Sequence, residues 1–324
     1  MKDKNTFITT TSQYRSAVMG LSMISIMLFH QYFTSIIPFN LFHHFGYWGV
    51  DVFLFLSGMG LVKSLNNNSL KVYYFRRFKR LIPSCILCGS TKYIFVFIFV
   101  SYFAILKNEL NISTLSIMSL DLWFIHTIII LYAISPLLYY SLKKWTYITI
   151  SLIFFLFFLN GVFVKPEVGF DWLSPIGIFS WTTDRLPVFG AGMFIAMKGE
   201  WIDMRIRYSF PFLLLAIGLN LLEKTEMTFQ GIETCQCFSL MIGMPALISL
   251  CTFFIDNIPN KLKRVINFFG IYSLELYLVH EFIHWIMKVN FVEVNPFLML
   301  SWWFVLSCFS AYVCKWLLVK CKLS

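Results

Sequence analysis

Apolar runs of roughly membrane length recur along this chain from one end to the other, at 17–37, 47–64, 81–106, 121–142, 145–164, 184–198, 208–223, 235–256, 267–287 and 297–318. About 20 apolar residues of helix cross the hydrocarbon of a bilayer. In that hydrocarbon each backbone polar group must be satisfied within the chain, so spanning segments are regular. The expected fold is all-α: a polytopic membrane protein of about ten transmembrane helices, forming a single integral-membrane domain over residues 1–324. Composition agrees, because only 13% of the residues are charged, against about 25% in ordinary globular chains. Residues 1–14 are polar and the first apolar run is too long for a signal-peptide core, so no cleavable leader is expected.

Charge orients the runs. Placing the N-terminus in the cytoplasm puts 20 of the 26 Lys and Arg residues on the inner side, where such residues gather. Ten spans then bring the C-terminus back to the cytoplasm. The outer connections are acidic by contrast, with Glu109, Asp121, Glu167, Asp171, Glu226 and Glu293 among them. The expected location is the cell (inner) membrane, as a multi-pass protein of bacterial type. Eight cysteines are present, most of them inside apolar runs. They read as small packing residues, because no second pair stands at zinc spacing beside Cys85-x-x-Cys88.

Ionisable side chains inside a bilayer are costly and mark functional sites. The first run carries one histidine, His30, and Asp51 lies near the start of the second. A short connection makes these helices antiparallel neighbours, so the two side chains are expected to meet within about one turn. His126, Arg185, Tyr277 and His280 fall at comparable depth, and Trp123 stands one turn before His126. Together they are expected to line an outward-open pocket that binds an acceptor substrate. On the inner side Arg76, Arg77, Lys79 and Arg80 precede Pro83 in YYFRRFKRLIP. Arginine suits bidentate phosphate contacts, so this run is read as a phosphate-attracting mouth, and Arg15 sits at the same level. No metal is expected. Glu281 and His284 share an i,i+3 face, which alone is a weak ligand pattern. Basic residues spread over six inner segments beside apolar helices are a membrane pattern, and they argue against nucleic acid as a partner.

Several stretches resemble the membrane-bound acyltransferase 3 family. MGLSMISIMLFH at 19–30 is similar to its first-helix signature. GVDVFLFLSGMGL at 49–61 resembles its second-helix motif, and FRRFKRLIP at 75–83 its basic motif. LWFIHTIIILYAISPLL at 122–138, RLPVFGAGMFIA at 185–196 and GIYSLELYLVH at 270–280 match later ones. The resemblance covers nearly the whole chain in order. It implies transfer of an acyl group, commonly acetyl, from cytoplasmic acyl-CoA to a hydroxyl of a surface or precursor glycan, such as a lipid-linked saccharide. It implies a catalytic role for His30 and coenzyme A binding by Arg76, Arg77 and Arg80. One departure stands out: the arginine usually eleven residues before the histidine is Met19 here, and Arg15 is the nearest substitute.

On this reading His30 is a general base, or a transient acyl carrier, oriented by Asp51. Arg185 and the Ser57–Gly58 backbone are candidates for stabilising the oxyanion, and Arg185 has Asp184 as an alternative, purely structural partner. Acetyl-CoA or another acyl-CoA enters as donor substrate, with no permanently bound cofactor. The rival class is a transporter or flippase for a lipid-linked sugar, against which the chain shows no internal repeat of broken helices.

Overall fold

A computed structural model describes residues 6–31, 45–107, 122–164, 174–198, 206–223, 232–290 and 295–323. Among them every regular element is a helix. In chain order these are α1 (Phe7–Gln13), α2 (Arg15–His30), α3 (Trp48–Asn67), α4 (Leu70–Lys107), α5 (Leu122–Lys144), α6 (Thr146–Leu159), α7 (Pro175–Met197), α8 (Phe210–Glu223), α9 (Ile232–Asn257), α10 (Asn260–Ile271), α11 (Ser273–Asn290) and α12 (Pro296–Lys320). A π-turn, Asn160–Val164, prolongs α6, and a short 3₁₀ turn, Ile206–Ser209, leads into α8. The segments holding Glu109, Asp121, Glu167, Asp171, Glu226 and Glu293 lie outside the described residues, as does the first expected span beyond residue 31.

Five of the described helical stretches are long and apolar enough to cross a membrane: Trp48–Asn67, Trp123–Lys144, Thr146–Val164, Ile232–Asn257 and Pro296–Lys320. Arg15–His30 and Ile206–Leu222 are apolar but shorter. Two boundaries differ from the sequence reading. The sixth run begins at Pro175, well before 184, because Ser174 caps the helix by accepting from the Gly177 amide and proline sits in the first turn, where its missing N–H costs nothing. The ninth run, 267–287, is two helices. The break falls at Tyr272, between α10, which is strongly amphipathic, and α11.

α3 is the hub. Fifteen of its residues are buried, Asp51 included, and it packs most extensively on α7 and then on α2. Close approach explains the first contact. A Cβ on Gly58 would stand 2.2 Å from the Phe189 carbonyl oxygen, and one on Gly192 would stand 2.1 Å from that of Phe55. Each helix offers a glycine to the other's backbone, the small-residue packing that holds membrane helices together. α2 and α10 repeat the device with Gly20 against Ile266 and Gly270 against Ser16. At the periphery, α6 and α12 turn Leu152, Phe155, Phe158, Phe297, Trp302, Val305 and Phe309 outward. Exposed apolar side chains of this size on helices of this length fit lipid as their surroundings.

Candidate active site

Two polar clusters stand where the sequence reading placed one. The first gathers around His30, the last residue of α2. Its Nδ1 lies 3.0 Å from Nε2 of His280, and its Nε2 lies 2.9 Å from Oε1 of Glu281. Both partners come from α11. The imidazole of His280 is wholly buried, and its Nδ1–H is shared between the carbonyls of Leu276 and Tyr277, at 3.0 and 2.9 Å. The indole N–H of Trp303 on α12 donates to the His280 carbonyl at 2.7 Å and fixes the backbone there. His30 and Glu281 each keep 23% of their side-chain surface accessible. His30, His280 and Glu281 offer three donor atoms within 4.8 Å of one another, close enough to bind a cation. His284, one turn on, packs instead edge-on against the Trp303 ring.

The second cluster holds Asp51. Arg185 Nη1 donates to both of its carboxylate oxygens, at 2.7 and 2.9 Å, and both residues are buried. The guanidinium lies over the Trp123 ring, 5.7 Å from its centroid, and Trp181 packs at a tilt against the same indole. Asp51 was expected to orient His30, yet the carboxylate on the imidazole is Glu281. A buried arginine on α7, the helix α3 packs against most closely, claims Asp51 at lower cost than a neutral ring would. Asp184, the next residue on α7, accepts from Asn160 Nδ2 at 2.7 Å. His126 joins neither cluster: its Nδ1 is buried without a hydrogen-bond partner among the described residues. The Ser57–Gly58 backbone lies in the interior of α3, where its amides are committed to the helix, and Gly58 faces Phe189.

A cavity of about 90 Å³ lies among α2, α3, α4, α5 and α11. Arg15, Arg77 and Arg80 line one part of it; Phe53, Phe124 and Tyr277 line another. Tyr277 packs its ring on His280 and on Phe124, so this lining reaches the first cluster's own wall. Arg15 and Met19 both border the cavity. Arg15 reaches it with Nη1 donating to the Leu56 carbonyl at 2.7 Å, beside Gly60, whose missing side chain makes the room. A second cavity of about 400 Å³, bounded by Arg15, Lys63, Asn66 and Asn67, shares that guanidinium. Arg76 is exposed and lies outside the lining of both.

Glu281 is the group the sequence reading missed. Its signal was its adjacency to His280 near the end of an apolar run, but adjacent helical residues diverge by about 100°. Only the crossing of α2 over α11 lets one imidazole touch both.

Comparison with curated proteins finds no match, and neither does comparison with solved structures. A family model described as an acyltransferase domain matches residues 18–320. That match takes in all of α3–α12 and all but the first turn of α2, including His30, His280, Glu281, Asp51 and Arg185. The chain is thus a member of the acyltransferase 3 family, a membrane acyltransferase.

Proposed function

We propose that the protein transfers an acyl group, most simply acetyl, from cytoplasmic acyl-CoA to a hydroxyl of a surface or precursor glycan. His30 is the base, or the transient acyl carrier. The observation that carries this reading is a cavity lined by three arginines and by a tyrosine whose ring packs on His280, the residue that faces His30 Nδ1. An acyl-CoA is built to that pattern: anionic phosphates, a narrow pantetheine arm and a reactive thioester at its tip. Arg15, Arg77 and Arg80 would hold phosphate oxygens by charge-assisted hydrogen bonds. The aromatic section suits the arm.

The accessible edges of His30 and Glu281 are where an acceptor hydroxyl would arrive. As base, the imidazole takes the hydroxyl proton while the oxygen attacks the thioester carbonyl. As carrier, it accepts the acyl group and passes it on in a second step. Trp123, Arg185 and Tyr277 would border the acceptor. Orientation follows the positive-inside bias, with both termini and the arginine end in the cytoplasm and about ten spans in the cell membrane.

Two measurements test this. Coenzyme A or acetyl-CoA should raise the unfolding temperature of the detergent-solubilised protein; a flippase for a lipid-linked sugar would not respond. Mass spectrometry of cell-surface glycan should lose the acyl mass increment when His30→Ala replaces the wild type at equal membrane abundance. Unchanged acylation in that strain rejects both the base and the carrier.

A further inference from the structure

The line Leu276/Tyr277 carbonyls, His280, His30, Glu281 has a property that follows from counting protons. Carbonyl oxygens only accept. Nδ1 of His280, 3.0 and 2.9 Å from two of them, therefore carries a hydrogen. A neutral imidazole has one N–H, so Nε2 of His280 presents a lone pair. The His30 Nδ1 facing it at 3.0 Å must then donate. That in turn leaves His30 Nε2 as a lone pair against Glu281 Oε1 at 2.9 Å. Two lone pairs do not sit at that distance, so this contact also contains a proton. Three contacts require three protons, whereas two neutral rings and a carboxylate own two between them. The complete line is electroneutral and holds one proton more, and moving that proton along the line changes no total charge.

Resting on the acyltransferase reading above, we infer that His280 is a positioning residue that directs the reactive lone pair to His30 Nε2, and that Glu281 is the group with which that nitrogen exchanges the substrate proton. Once the line gives up its third proton, the vacancy opens at the His30–Glu281 contact. The other two contacts are pinned, one by backbone carbonyls and one by the His280 tautomer they enforce. The vacancy also opens on the side that is accessible, since His280 is wholly buried while His30 and Glu281 are not.

An acceptor hydroxyl donates to the bared Nε2. Its O–H bond breaks, its proton completes the line, and the oxygen bonds to the acyl carbon. The C–S bond breaks, and the thiolate that leaves takes the same proton back from Nε2. One proton has moved from oxygen to sulfur, and the line returns to its vacant state. A metal ion on the same three donors would require His30 to turn one nitrogen toward a point shared with both partners. Instead its two nitrogens serve one partner each.

The test is the ¹⁵N spectrum of the full-length protein in detergent, labelled at histidine, with the His30 signals assigned by their loss in His30→Ala. The expected wild-type ring is protonated at Nδ1, and His280→Leu converts it to a ring protonated at Nε2 alone. In the transfer assay, with acetyl-CoA as donor and host polysaccharide as acceptor, His280→Leu should lower kcat about 100-fold. KM for the donor should stay within about 3-fold, because no phosphate or acyl contact changes. His280→Gln, whose side-chain oxygen reaches as far as Nε2, should regain at least about 10-fold over His280→Leu. A wild-type ring protonated only at Nε2, full activity in His280→Leu, or a stoichiometric metal ion in the purified protein each overturns the inference. The spectrum needs no variant but His30→Ala to decide. If His280→Leu is fully active while His30→Ala is dead, His30 keeps its role and only the line fails.

Discussion

Asp51 and Arg185, 134 positions apart in sequence, form a buried ion pair between α3 and α7, with one guanidinium nitrogen donating to both carboxylate oxygens. Its neighbours are Trp123 under the guanidinium and the glycine-mediated contact a few turns along the same two helices. The pair is a structural element of the hub as well as a border of the proposed acceptor pocket.

Breaking that pair from one side leaves a charge buried without its counter-charge. Asp51→Leu or Arg185→Leu alone should destabilise the folded protein by about 3–5 kcal/mol. The double variant should recover most of that loss, because two apolar side chains need no desolvation. Chemical unfolding in detergent, followed by tryptophan fluorescence, gives all three values.

The basic residues divide by position. Arg77 and Arg80 border the arginine end of the cavity, whereas Arg76 is exposed outside it. Arg77→Ala or Arg80→Ala should weaken coenzyme A binding by about 10-fold or more, the value of one hydrogen bond to a charged group. Arg76→Ala should change it by less than about 3-fold. Calorimetric titration of each variant with coenzyme A separates the two outcomes.

Gly60 offers a subtler probe of the same end. A Cβ there would stand 2.8 Å from Arg15 Nη1, the nitrogen that donates to the Leu56 carbonyl. The guanidinium is the end of a flexible chain and can give way. Gly60→Ala should therefore leave the unfolding temperature nearly unchanged and reduce coenzyme A affinity several-fold. Equal affinity with wild type would separate Arg15 from the donor.

The glycine contact between α3 and α7 makes the opposite prediction. In Gly58→Ala or Gly192→Ala the new methyl meets a backbone carbonyl at 2.2 or 2.1 Å, and the helices must part. A loss of about 1–3 kcal/mol is expected. Gly218→Ala on α8, where nothing lies within 4 Å, should be neutral or slightly stabilising. Thermal unfolding of the three variants side by side checks both halves.

The sequence made some of this legible and hid the rest for stated reasons. Long apolar runs marked most of the helices, and a lone histidine within one singled out His30. The start of α7 was misplaced because the polar stretch Ser180–Arg185 reads as a connection, although Ser174 and Pro175 carry a clear start signal. The break at Tyr272 was passed over although Gly270 and Ser273 flank it, because apolar residues continue on both sides. Depth arithmetic brought His30 and Asp51 to one level but could not say which side of each helix they occupied. A crossing of α2 with α11, 250 positions later, supplied the partners instead. The basic residues near the cavity could be listed from the sequence, but which of them line it needed the fold.

Because α3 and α7 touch backbone to backbone at both Gly58 and Gly192, neither can roll or slide on the other without a steric collision. Any widening of the bundle around the proposed acceptor must then fall to elements outside that clamp. The Asp51–Arg185 pair, carried by the same two helices, would then keep its place while the surrounding helices shift.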